Sequence, residues 1–159
     1  MTNPHHALIS DELRMAIGDL AIAAAALEFQ LTFLVAVARD EDDERVRDIM
    51  SRTGEPHRQL VRLVGEVDDQ DLRRRLDVLA RDASALLVDR HRLINAVALI
   101  DFAAEGRPVV SFWNAREDRE VSIDAAQVND HVRNISTVAA HALHVTRAAN
   151  QWRRSRASS

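Results

Sequence analysis

Apolar residues recur at steps of three and four in three long stretches of this chain. The first carries Leu13, Ile17, Leu20, Ala24, Leu27, Leu31, Leu34 and Ala38. This spacing is one face of an α-helix and predicts an amphipathic helix of about 28 residues. Ser10 precedes it as an N-cap candidate, with Asp11 and Glu12 in the first turn. The alanine run Ala23 to Ala26 permits close helix approach. Asp40-Glu41-Asp42-Asp43-Glu44 then reads as a solvated loop or helix start rather than a cation site.

Val46, Ile49 and Met50 mark a short helix stopped by Thr53-Gly54. A second short helix follows, with Pro56 in its first turn and Leu60, Leu63, Val64 and Val67 inward. The next long helix starts near Gln70, and its stripe reads Leu72, Leu76, Leu79, Ala83, Leu86, Arg90, Leu93 and Val97. After Asn95 the pattern changes. Residues 97 to 103 fit a strand or a continued helix, and Ala104 to Pro108 reads as a turn. Val109 to Trp113 is the best strand in the chain, and Glu120 to Ile123 offers another. The last helix runs from about Asp124 to Trp152, with Val128, Val132, Ile135, Ala139, Ala142, Val145, Ala149 and Trp152 inward.

The fold expected is mainly all-α: a four-to-five-helix up-and-down bundle with a small β-hairpin insertion before the last helix. One domain covers residues 1 to 159, with the hairpin at about 97 to 123 and a flexible tail at about 153 to 159. A chain of 159 residues with 47% hydrophobic content can bury a real core. Four Gly, three Pro and 4% aromatic residues favour helices over a many-turned β protein.

Net charge is −4, so no global basic field points to nucleic acid, although the three arginines after Trp152 could touch phosphates. All 21 basic residues are Arg, a bias that a GC-rich genome explains more simply than function does. Cysteine is absent, which excludes disulfides, thiolate metal sites and Cys nucleophiles. Ala16 to Ala38 is the most apolar run, but Asp19, Glu28 and Gln30 interrupt it, so it reads as a buried bundle helix. The N-terminal residues lack the pattern of a signal peptide, and cytoplasm is the expected location, with no membrane partner.

Several bundle chemistries are missing from the pattern. There is no Glu-x-x-His pair for a di-iron site and no Gly-rich phosphate loop. His141 and His144 could share a helix face, but no third ligand is evident, so no metal and no cofactor are expected. His131, between Val128 and Ile135, reads first as a core histidine with a satisfied hydrogen bond. Arg90 is the only charge on its stripe. It can snorkel, or pair with a carboxylate such as Asp89 or Glu28.

Asp89-Arg90-His91-Arg92-Leu93-Ile94-Asn95 resembles the acid, Arg, polar residue, three residues, then His pattern of HEPN-like helical-bundle proteins. The order of elements is similar over roughly residues 10 to 152. The resemblance implies a homodimer in which motif helices meet and Arg and His form a metal-independent ribonuclease site. There His exchanges the proton and Arg stabilises the phosphorane-like charge. In this chain Arg90 matches the Arg, His91 the polar position, and Asn95 occupies the place of the catalytic His. An amide cannot titrate, so Asn95 cannot serve as general acid or base. The expected function is a non-catalytic HEPN-like binding or assembly module, in a toxin-antitoxin or phage-defence setting, with a protein partner from the same locus. Two alternatives stand beside it. One is a metal-independent ribonuclease using Arg90 with His91 or His131. The other is a bundle of unrelated function with a structural Arg90.

Overall fold

The computed structural model describes residues 9–52, 54–94, 97–102, 108–114, 118–121 and 123–158. Five helices dominate: α1 (Asp11–Arg39), α2 (Asp43–Met50), α3 (Glu55–Glu66), α4 (Gln70–Ile94) and α5 (Ala125–Ala157). Three strands, β1 (Val97–Phe102), β2 (Pro108–Asn114) and β3 (Arg119–Val121), lie between α4 and α5 in the chain.

Local chemistry sets the helix ends. The Ser10 hydroxyl accepts from the Leu13 amide at 3.2 Å, satisfying one of the free donors of the first turn of α1. Asp40 closes α1 in the left-handed conformation with φ 58°. Asp42 then caps α2 through the Arg45 amide at 2.8 Å. The acidic run 40 to 44 is therefore one helix stop followed by one helix start. Gly54, with φ 72°, supplies the turn into α3, where a side chain would strain the backbone. Asp69 accepts from the Leu72 amide at 2.8 Å at the start of α4. Asp124 and Gln127 form a reciprocal capping box at the start of α5.

The expected small β-hairpin insertion is corrected by the structure, because a two-stranded hairpin is not what this segment forms. It is a three-stranded antiparallel sheet in the order β1-β2-β3. Val97 pairs with Trp113 and Phe102 with Pro108, while the other edge of β2 pairs Phe112 with Val121. The physical reason is that a lone two-stranded ribbon is marginal in water, and a third strand satisfies the second edge of β2. The last helix also differs from expectation, since α5 stays helical to Ala157, past the start of the expected tail.

Helices α1 and α5 run in the same direction. Glu12, Met15 and Asp19 lie beside Ala125, Ala126 and Asn129. At the other end, Ala36 and Asp40 lie beside Asn150 and Arg153. Helix α4 runs against both: the His131 ring reaches Leu86, whereas Trp152 reaches Asp68 ahead of α4. The core sits between these three long helices and α3, with Leu20, Leu27, Leu31, Leu60, Leu76 and Ile135 fully buried. Among the described residues, α1 is long and apolar enough to cross a membrane by length and composition. Yet 44% of its most apolar 18-residue window is buried in the bundle.

Leu27 is 0% exposed at the centre of this core. Leu27→Ala should lower the free energy of unfolding by about 2–5 kcal/mol in urea titrations, with the slope unchanged.

Candidate functional site

The stripe of α4 loosens toward its C-terminal end. Leu72, Leu76, Leu79 and Ala83 are buried, but Leu86, Arg90 and Leu93 are only half-buried, and Val88 and His91 are exposed. Within this stretch the Arg90 Nε atom is shielded from solvent and has no hydrogen-bond partner. Among the described residues no ion pair joins Arg90 to Glu28, the α1 carboxylate expected as one partner. Burial of a guanidinium nitrogen without an acceptor is costly, so the donor is held unused by its own fold.

His131 of α5 supplies the second group. Its Nε2 lies 3.3 Å from the carbonyl oxygen of Leu86, one helical turn before Arg90. A carbonyl only accepts, so Nε2 is the donor in this contact. This ring is partly buried and hydrogen-bonded, the arrangement expected of a core histidine, yet it stands beside the turn that carries Arg90. The structure thus brings Arg90 and His131 to the same stretch of α4. His91 lies on the exposed side of that helix. Asn95 lies outside the described residues.

Other polar chemistry gathers at the opposite end of the bundle. Arg39 donates to both Glu66 oxygens, at 2.9 and 2.6 Å, and to the Gln59 carbonyl at 2.7 Å, locking the end of α1 to α3. Gln59, itself buried, donates to Glu55, and Arg58 does too. Those donations, Gln59 first, hold the Glu55 carboxyl below its ordinary value. The Trp152 indole N–H donates to Asp68 at 2.7 Å, and it lowers the Asp68 carboxyl in the same way. Arg156 covers the Trp152 ring at 5.1 Å, and Arg153 pairs with Asp40. None of these ties was read from the sequence, because Arg39 and Glu66 are 27 residues apart and Trp152 and Asp68 are 84 apart.

Two open clefts flank α1. One of about 460 Å³ lies beside the stacked rings of Phe29 and Phe33, whose centroids are 6.4 Å apart, and it is walled by Asn150, Arg153 and Arg154. The other, about 360 Å³, lies between Glu12, Met15 and Asp19 of α1 and the first turn of α5. No group of three or more His, Cys, Asp or Glu side chains that could hold a metal occurs among the described residues.

No family model, no curated protein and no solved structure matches this chain.

An Arg kept with an unused buried donor should not be there for stability. Arg90→Met, measured by urea unfolding, should leave stability unchanged or raise it by about 1 kcal/mol. A loss of several kcal/mol would instead make Arg90 structural. The Asp68 carboxyl has a lowered folded pKa, so its contribution is present at neutral pH and is lost as pH falls through that value. Trp152→Phe should therefore cost stability at pH 7, and the difference from wild type should shrink below about pH 4.

Proposed function

We propose that this protein is a non-catalytic HEPN-like binding and assembly module. The observation that supports this best is Arg90: a half-buried cation where the α4 stripe loosens, with its Nε donor buried and unmatched, and no titratable residue at position 95. Such a group can offer charge and hydrogen bonds to an incoming acceptor without turning anything over. Loss of general acid-base chemistry alone removes a factor of about 10² to 10⁴. The setting that goes with the resemblance is a toxin-antitoxin or phage-defence locus with a protein partner from that locus.

His131 favours a second reading, a metal-independent ribonuclease. Its ring meets the Leu86 carbonyl one turn before Arg90, and an imidazole there could replace the missing base. RNA cleavage by purified protein separates the two. The wild type should not cleave. Asn95→His should introduce activity if the scaffold holds the pattern's geometry, and adding Arg90→Ala should then abolish it. Robust wild-type cleavage that disappears in His131→Ala or His91→Ala would replace the assembly reading with the ribonuclease.

A further inference from the structure

We propose that the outward face of α1 is a docking site for a basic amphipathic helix of a partner protein, laid along α1 with its cations against the carboxylates that border this face. This rests on the assembly reading and names the partner by its chemistry, but it stands on α1 rather than on the motif of α4. Cleavage assays test that reading, and peptide binding tests this one.

Met15, Ile22 and Phe29 repeat at intervals of seven, with Phe33 one turn beyond. All four are exposed, Ile22 at 71% and Met15 at 65%. A seven-residue period is the one on which paired helices meet, and the residues that α1 buries in its own bundle lie on the other side. Gly18 and Ala25 stand beside this stripe and are also exposed. A side chain built at Gly18 would meet nothing within 4 Å, so the chain's own packing does not require glycine there. Small residues next to large ones give an incoming helix holes to fill.

Charge identifies the occupant. Glu12 and Asp19 border the stripe on the side of α5, and by helical spacing Glu28 borders it on the other. Glu41 and Asp43 stand at the far end, in the cleft beside Phe29 and Phe33. None of these carboxylates forms an ion pair among the described residues. Elsewhere acids are paired within a turn, as Asp71 is with Arg75, Asp77 with Arg81 and Asp130 with Arg133. The reason is in the sequence, since α1 has no basic residue between Arg14 and Arg39. Arg14 is taken by Asp11, Arg39 by Glu66 and Arg153 by Asp40. Of the cations lining the two clefts, only Arg154 lacks an ion pair. The face is therefore an apolar stripe in a negative rim, the complement of a helix with one apolar face edged by Lys or Arg. From Asp19 to Glu41 the chain rises about 33 Å, which a partner helix of roughly 22 residues spans. A second copy presents the same negative rim, and RNA or an anionic bilayer brings phosphates, so each of these meets like charge.

The probe is a labelled peptide of about 22 residues of Leu and Lys, with leucine at the heptad a and d positions. By fluorescence anisotropy it should bind the wild-type protein with a dissociation constant on the order of micromolar, and its own circular dichroism should gain helix on binding. Amide shifts should move at Asp19, Ile22 and Phe29 and stay fixed at Asp82 and Val88, which are exposed on α4. Phe29→Ser should weaken binding by about tenfold or more, and so should Glu12→Lys combined with Asp19→Lys. The double variant should instead take up a Leu/Glu peptide of the same pattern. Asp82→Lys should leave binding of the Leu/Lys peptide unchanged. No binding would overturn the proposal, as would equal binding of a scrambled Leu/Lys peptide or of the Leu/Glu peptide by the wild type. A wild-type dimer that dissolves in Phe29→Ser, or a protein that sediments with phosphatidylcholine vesicles, would give the face to another occupant and overturn it too.

Discussion

Helix α1 packs along α5 for most of its length, with both pointing the same way, and this contact orders the rest of the bundle. Leu20, Leu27 and Leu31 of α1 and Val128, Ile135 and Ala142 of α5 are buried in the common core. Small residues at Ala24, Ala142 and Ala149 let the two backbones come close, so the larger leucines fill the space toward α3 and α4. Two parallel neighbours require the chain to travel back between them. Helix α4 makes that return, and the strands follow it before α5 begins.

That arrangement fixes where polar groups can stand. At the end where α1 and α5 finish, Arg39, Glu66 and Gln59 form a hydrogen-bonded cluster, and Trp152 and Asp68 tie α5 to the approach to α4. Every one of those donors has an acceptor. At the other end, where α4 finishes, the packing thins and Arg90 keeps a buried nitrogen without one. The same feature recurs at the first end, where the Nε of Arg153 is also buried without a partner although its guanidinium pairs with Asp40. An exposed ion pair is worth little, whereas an unmatched buried donor has a cost that selection must offset.

Helix α1 also has more apolar surface than the bundle covers. Its inward stripe is complete, yet Met15, Ile22, Phe29 and Phe33 remain in water on the opposite side. A helix that is apolar nearly all round normally lies in the middle of a protein or in a membrane. Here α3, α4 and α5 cover one side of it, and among the described residues nothing covers the other.

The sequence alone determined the helices, because their signals are local. Capping by Ser10 and Asp124, the left-handed turn at Gly54 and the three-and-four spacing of leucines each act within a few residues of themselves. It also determined the limit on chemistry at position 95, since asparagine carries no titratable proton wherever it lies. Arg90 was legible as an oddity on an apolar stripe, but whether Glu28 would pair with it was not. That depended on the level at which α1 and α4 pass each other. The pairing of the third strand with β2, the helical course of α5 beyond Trp152, and the Arg39 and Trp152 ties were decided only by tertiary structure. Each joins segments far apart in the chain, and a one-dimensional pattern says which residues seek a partner without saying which partner comes within reach.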